Sequence, residues 1–135
     1  MPGRAHRLLV AYDAGEPARV ALDHGIELAR ATGATLGIVS VAPDDEVPDD
    51  PWSETSERAA ALYAAKLRAE EAGIDAVTHL PTGAPGPTIV QVAAAFDYDT
   101  IIIGSRRLGP IRRRLLGSVS AYVVSHTSAT TIVAR

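Results

Sequence analysis

The chain has 135 residues, 47% of them hydrophobic, which is enough for one domain with a buried core and too few for two. It has no cysteine, which excludes disulfides, thiolate metal sites and a cysteine nucleophile. No apolar run approaches the ~18–20 residues that span a bilayer, and the N-terminus lacks a signal-peptide pattern. We therefore expect a cytoplasmic domain over residues 1–135 that is not inserted in a membrane.

The net charge of −3 hides a strong local asymmetry. Residues 44–57 contain seven acidic residues and no basic one. Five of the 13 Lys and Arg residues fall between positions 106 and 114: Arg106, Arg107, Arg112, Arg113 and Arg114. Such a short basic segment suits a small anionic ligand better than a nucleic acid, and no aromatic residue lies within it to stack on bases.

The first third of the chain predicts two strands joined by a helix. Residues 7–12 form an apolar run that is followed by Asp13. Pro17 suits the first turn of a helix that extends to about residue 31, and Gly33 suits its end. The run from Thr35 to Ala42 predicts a second buried strand.

An acidic stretch at 43–51 predicts a mobile loop. A second helix is expected to begin at Ser53 or Thr55, either of which is a good N-cap, and to close at Gly73. The alternating residues 75–80 predict a strand at the edge of a sheet.

The last third predicts two more helices and two more strands. Pro87 is expected to begin the third helix, whose apolar face is Ile89, Val92, Ala93 and Phe96. The strand 101–103 follows, and then a glycine- and arginine-rich loop. The fourth helix has the apolar spacing Val119, Tyr122, Val123 and His126. Residues Thr130 to Ala134 predict the final strand.

This alternation of strands and helices predicts an α/β fold of one domain, with a doubly wound parallel sheet covered by helices on both faces. Such sheets bind ligands at the carboxyl ends of the strands, where the strand order reverses. If the first and fourth strands are neighbours, Asp13 and Gly104 flank one crevice, although the sequence alone does not fix that order.

The loop between Gly104 and Ser118 predicts a phosphate site, because a strand, a glycine and a helix start together supply backbone N–H groups and a partial positive charge. It is not a P-loop, since Pro110 and Ile111 stand where Lys and Ser or Thr are required. The dinucleotide-binding string G-x-G-x-x-G is absent after the first strand. The four histidines are scattered, so no metal site is expected.

The chain resembles the universal stress proteins over nearly its whole length. Its opening, LLVAYDAGEPARVAL, looks like that of the family, with an aspartate after the first strand. The family's ATP-binding signature is G-x2-G-x9-G-[ST]. Gly104, Gly117 and Ser118 match it at the right spacing, whereas Arg107 replaces the middle glycine.

The resemblance implies a five-stranded sheet of order 3-2-1-4-5, similar to the adenine-nucleotide alpha-hydrolase fold. It also implies a homodimer joined through the last strand, and binding of ATP or AMP, with any Mg²⁺ carried by the nucleotide. Asp13 and Val41 would meet the adenine or the ribose. The candidate nucleotide-binding residues are Ala11, Asp13, Val41, Gly104, Arg106, Arg107, Gly117, Ser118, Val119 and Ser120.

Arg107 leaves the function open. On one interpretation, arginine in a left-handed glycine position is strained by roughly 1–2 kcal/mol and its side chain occupies the phosphate path. On the other, its guanidinium clamps a phosphate. Three hypotheses follow: a nucleotide-binding sensor or regulator that acts on an unknown protein partner, a dimeric interaction protein without nucleotide, and a slow ATPase. No positioned base for water is evident besides Asp13, so catalysis is not expected to be the main activity.

Overall fold

The computed structural model describes residues 6–13, 15–44, 52–108, 113–115 and 117–135, with the backbone alone at 106–108 and 113–115. Its strands are β1 (Arg7–Ala11), β2 (Thr35–Val39), β3 (Ala76–His79), β4 (Thr100–Gly104), β5 (Arg106–Leu108), β6 (Arg113–Leu115) and β7 (Thr130–Ala134). Its helices are α1 (Glu16–Thr32), α2 (Glu54–Glu71), α3 (Pro85–Ala95) and α4 (Ser118–His126). Most of the acidic loop predicted at 43–51 lies outside the described ranges.

Five strands form one parallel sheet in the order β3-β2-β1-β4-β7. This order confirms the predicted 3-2-1-4-5 arrangement, with β7 as the fifth strand of the sheet. In the central register, Leu9 lies opposite Gly37 on one side and Ile101 on the other. The strand order reverses between β1 and β4, so their carboxyl ends open a crevice between them.

Each central strand is buried on both faces, as its continuous apolar sequence predicts. Alternate residues of β4 show this: Ile102 packs in the core under α1 and α2, whereas Ile101 and Ile103 pack in the core under α3 and α4. Ile101 and Ile102 are fully buried, and Ile103 is 5% exposed. The period of two therefore divides one strand between two separate hydrophobic cores.

Two helix boundaries follow the predicted capping residues. Gly33 adopts the left-handed conformation, with φ of 74°, and its N–H donates to the carbonyl of Ala29. A residue with a Cβ is strained there, which explains a glycine at this end of α1. At the start of α2, Ser53 rather than Thr55 is the N-cap, and its hydroxyl accepts a hydrogen bond from the N–H of Ser56 at 3.1 Å.

Three details of the prediction are wrong. Helix α3 begins at Pro85, two residues earlier than expected, and Phe96 lies beyond its last turn with 51% of its surface exposed. In α4 the predicted apolar face is buried fully only at Val123, since His126 is exposed and stacks on Tyr122. A nine-residue helix at the edge of the sheet has too little core beside it to bury a full stripe.

The glycine- and arginine-rich segment also contains regular structure that was not predicted. Strands β5 and β6 pair antiparallel immediately after β4, and the register places Arg107 opposite Arg114. The strands have three residues each and lack β-branched residues, so their sequence carries no strand pattern. The predicted loop is therefore a hairpin in part.

A buried tyrosine fills the space above the single glycine of β2. Tyr98 is 5% exposed, and a Cβ at Gly37 would collide with its ring and hydroxyl. The hydroxyl lies 2.7 Å from Nε2 of His79, and the guanidinium of Arg7 stands 4.9 Å from the ring centre. Burial, assisted by the charge of Arg7, lowers the pKa of His79 below its usual value.

This lowered pKa predicts a loss of stability on mild acidification. An unfolded histidine titrates near 6.5, so below about pH 6.5 the unfolded chain binds the proton more readily than the folded chain. The free energy of unfolding should therefore fall as pH drops from about 6.5 to 5, and His79→Gln should flatten that slope. Asp99, whose pKa is also lowered, loses its contribution only in a more acidic range, below its usual 3.8. Urea titrations across this window test the prediction, and an equal slope in both proteins would contradict it.

Candidate functional site

A cavity of about 370 Å³ opens at the carboxyl ends of β1, β2 and β4, within the ~300–1,000 Å³ typical of small-molecule sites. It lies at the reversal of strand order, where ligands of doubly wound sheets bind. Its lining residues are Ala11, Tyr12, Asp13, Gly15, Pro17, Ala18, Val39, Ser40, Val41, Arg58, Pro85, Ile89, Ile103, Gly104, Gly117, Val119 and Ser120.

Three of the predicted residues line the cavity from the ends of β1 and β2. Ala11 and Val41 are buried, at 9% and 6% exposed, whereas Asp13 is exposed. The carboxylate of Asp13 accepts a hydrogen bond of 2.9 Å from the N–H of Gly15 and so fixes the turn into α1. Within the described residues this bond uses one of its two oxygens, and a carboxylate can accept further bonds.

Gly104 lies at the end of β4 and packs closely on the first turn of α1. A Cβ at this position would collide with the main-chain carbonyl of Pro17. The glycine is therefore required by the contact between a strand and a helix backbone. This reason is separate from access of a phosphate, which the sequence pattern emphasised.

The start of α4 forms the opposite wall. Gly117 is its N-cap, with an ordinary φ of −64°, and a Cβ there would meet no atom of the described residues within 4 Å. The hydrogen bonds within the helix begin with the N–H of Ala121, which donates to the carbonyl of Gly117. The backbone N–H groups of residues 118–120 thus have no acceptor within the helix, and the helix dipole adds a partial positive charge.

The three predicted residues of α4 differ in their positions. Val119 and Ser120 line the cavity, whereas the exposed Ser118 does not. Ser118 is the first helical residue, and Gly117 before it is the N-cap. The hydroxyl of Ser120, 5% exposed, donates to the carbonyl of Gly104 at 3.1 Å and ties α4 to β4.

Sequence reasoning missed the wall that α2 contributes. Nη1 of Arg58 donates to Oγ of Ser40 at 3.3 Å, which brings a guanidinium to the end of β2. Both residues line the cavity. The sequence gives no signal for this pair, because one residue follows a strand, the other is on a helix, and their contact depends on how α2 packs.

Two predicted residues cannot be placed as side chains. The backbone of Arg106 and Arg107 belongs to β5, directly after Gly104, and their side chains lie outside what the structure describes. Within the described ranges, no group of three or more His, Cys, Asp or Glu side chains is arranged to hold a metal ion. In the same part of the chain, no helix combines the length and apolar character needed to cross a membrane.

The fold agrees with a comparison of the sequence with known families. Residues 5–135 match the model of the Universal stress protein family. The chain belongs to this family. A universal stress protein of Thermus aquaticus, encoded beside a QAH/OAS sulfhydrylase, is 31% identical over 95% of this chain and 97% of its own length.

Solved universal stress protein structures show the same fold. One from Archaeoglobus fulgidus superposes with a TM-score of 0.83 at 24% identity and covers 98% of this chain and 100% of its own. Another, solved in complex with cAMP, has a TM-score of 0.78 at 26% identity and covers 98% of both chains. A third, from Arabidopsis thaliana with AMP bound, has a TM-score of 0.75 at 21% identity and covers 96% and 92%.

Proposed function

We propose that this universal stress protein binds an adenine nucleotide, ATP or AMP, and acts in the cytoplasm as a sensor or regulator rather than as an enzyme. One observation carries the proposal: a single cavity joins the ends of β1 and β2 to the free N–H groups at the start of α4. Such a helix start is a site for phosphate, and the apolar strand ends suit a base.

Two observations support a nucleotide in this cavity. Among the described residues, no atom lies within 4 Å of where a Cβ of Gly117 would stand, so an anion can approach the main chain closely. In addition, a universal stress protein 26% identical to this chain was solved with cAMP, and a more distant one with AMP. These ligands share an adenosine with one phosphate, which is the chemistry that the two ends of the cavity can accept.

The lining of the cavity supports one direction for the nucleotide. In the proposal, phosphate lies at the β4 side, between Gly104 and Gly117 and near the N–H groups at the start of α4. The base is placed at the β2 side, against the buried Val41. Asp13 follows β1, which lies between β2 and β4, and its carboxylate would accept hydrogen bonds from the ribose.

Arg106 and Arg107 belong to the phosphate end in this proposal. The backbone register pairs position 107 with position 114, and both positions are arginine, so the hairpin concentrates positive charge directly after Gly104. A bound phosphate would offset that like charge. We therefore favour the arginine as a phosphate ligand over its role as a block, and Mg²⁺, when present, would enter with ATP.

We expect protein stripped of endogenous nucleotide to bind ATP or AMP with micromolar affinity, about −8 kcal/mol. Arg107→Gly should weaken that binding about tenfold, since a charge-assisted contact to phosphate is lost. Equilibrium dialysis with and without Mg²⁺ measures both constants. The control is Arg30→Gln, which removes one positive charge from the last turn of α1, away from the loop. Glutamine is chosen instead of glycine because Arg30 lies inside the helix.

The opposite result would favour the interaction protein without nucleotide. If the parent binds neither nucleotide at millimolar concentration and Arg107→Gly creates affinity, the arginine blocks the site. If neither protein binds, the cavity is a scaffold only, and the function lies in surfaces that meet other proteins.

The proposal includes a homodimer formed through β7. This strand is at the edge of the sheet, with Thr131, Ile132 and Val133 only half-buried in one chain. An edge strand of this length offers unpaired main-chain groups that a second copy can satisfy across a two-fold axis. Sedimentation equilibrium at micromolar concentration should give a dimer, and a monomer at that concentration would contradict this part of the proposal.

A further inference from the structure

We infer that Arg58 is a ligand-binding residue of this site and that its guanidinium donates hydrogen bonds to a ring nitrogen of the bound base. No part of the glycine signature points to this residue. The inference rests on the proposed nucleotide function and adds to it what recognises the base end. It depends on three observations: the position of Arg58 beside the end of β2, its incomplete hydrogen bonding, and its place on the opposite side of β1 from Gly104.

Arg58 lies where the base is placed. It reaches the cavity from α2 beside Ser40 and Val41, the two residues that follow β2. Gly104 is the last residue of β4, which lies on the other side of β1 in the sheet order. The charge of Arg58 thus faces the end of the cavity that lacks the glycine loop.

The guanidinium has donors for which the described residues supply no acceptor. Of its five N–H bonds, one goes to Ser40 at 3.3 Å and one to Glu54 at 3.4 Å, and both distances are long for a hydrogen bond. Nε is buried and finds no acceptor among the residues that the structure describes. A buried donor without a partner is unfavourable, and long bonds are easily exchanged. The side chain is therefore poised to move onto an acceptor in the cavity.

The chemistry of the guanidinium determines what it can read. It has donors and no acceptor, so it can contact the ring nitrogens of a purine and cannot contact the exocyclic amine of adenine. The Glu54 contact, one helical turn away, holds the guanidinium near the cavity before the ligand arrives. The side chain of Arg58 is only 25% exposed, so it loses little further conformational freedom when a ligand binds.

The first test compares Arg58→Met with the parent protein for adenosine, AMP and ATP. Methionine keeps an apolar stem and removes every donor. We expect affinity to fall about tenfold or more, by the same factor for all three ligands, because the lost contact is to the base. Arg68→Met, ten residues further along α2 and paired with Asp23 outside the cavity, should bind all three as the parent does.

The second test identifies the ring nitrogen with analogues of AMP, first in the parent protein and then in Arg58→Met. The parent is measured with 1-, 3- and 7-deaza analogues of AMP, each of which lacks one ring nitrogen. One analogue should bind about tenfold more weakly than AMP, and Arg58→Met should bind that analogue and AMP equally. This non-additivity identifies the nitrogen that Arg58 contacts.

Three results would overturn the inference. A loss that grows from adenosine to ATP would move Arg58 to the phosphates. Three deaza analogues that bind the parent as AMP does would remove the base contact. Unchanged affinity in Arg58→Met would show that the arginine does not contact the ligand, and the proposed function would still stand. Failure of the parent to bind any of the ligands would instead reject the proposed function and this inference with it.

Discussion

Ile103→Ala is expected to lower both the stability of the protein and its affinity for AMP, whereas Ile102→Ala should lower stability alone. Each substitution removes the same atoms from a side chain no more than 5% exposed, so each should cost about 2–5 kcal/mol of unfolding free energy. The two residues are neighbours in β4 and point to opposite faces of the sheet. They therefore form a matched pair: both substitutions should cost similar stability, but only Ile103 contacts the cavity.

The difference arises because Ile103 lines the cavity and Ile102 does not. Removing its side chain enlarges the floor on which the nucleotide is proposed to rest, and the lost apolar contact should weaken AMP binding about tenfold, ~1.4 kcal/mol. Urea titration gives the two stabilities, and calorimetric titration of AMP gives the affinities. Binding must be measured at a temperature where both variants are fully folded.

If both variants bind AMP as tightly as the parent protein, the proposed site is contradicted, because Ile103 lines the cavity. If both variants lose affinity by the same factor, binding responds to a general loosening of the sheet. Only a loss confined to Ile103→Ala supports a ligand that touches this floor.

The parallel sheet was predictable because its central strands β1 and β4 are almost continuous apolar runs in the sequence. The runs at 7–12 and 101–103 are buried on both sides, and only the centre of a parallel sheet buries a strand in that way. The order of the strands did not follow from these patterns, and the resemblance to a family supplied it. Once β1 and β4 are parallel neighbours, Asp13 and Gly104 must lie at the same edge of the sheet, where the strands have their carboxyl ends.

The part of the site that the sequence missed depends on contacts between elements. Arg58 is half-buried and reaches Ser40, eighteen positions away, only because of the way α2 packs over β2. Its sequence neighbours give no hint, since α2 is rich in charge on its exposed side. The hairpin after β4 was missed for a different reason: strands such as Arg106–Leu108 contain none of the residues that favour strands.

Helix starts show a third limit. Pro85 and Pro87 both fit the first turn of a helix, and the sequence pattern favoured the second. The structure begins α3 at Pro85, which places Gly86 against the ring of Tyr122 in α4. The choice between the two prolines is thus made by a contact between helices that no local pattern records.

Gly104→Ala is expected to destabilise the fold, and Gly117→Ala to spare it. A Cβ at Gly104 would collide with the main-chain carbonyl of Pro17, which cannot rotate away as a side chain can. Relief requires β4 and α1 to separate, at a cost of about 1–3 kcal/mol or more. A Cβ at Gly117 meets no atom within 4 Å in the part of the chain that the structure describes, and the φ of −64° suits any residue. Only the modest preference for glycine at an N-cap is therefore lost, about 1 kcal/mol or less.

Binding should separate the two glycines in the opposite sense. The methyl of Gly117→Ala would occupy space proposed for phosphate, so affinity for ATP should fall about tenfold or more while the fold remains nearly as stable. Thermal unfolding and ATP titration of both variants measure the two effects. A stable Gly104→Ala would contradict the close packing of β4 on α1. Full ATP affinity in Gly117→Ala would place the phosphates away from the start of α4, and with them the direction of the nucleotide in the cavity.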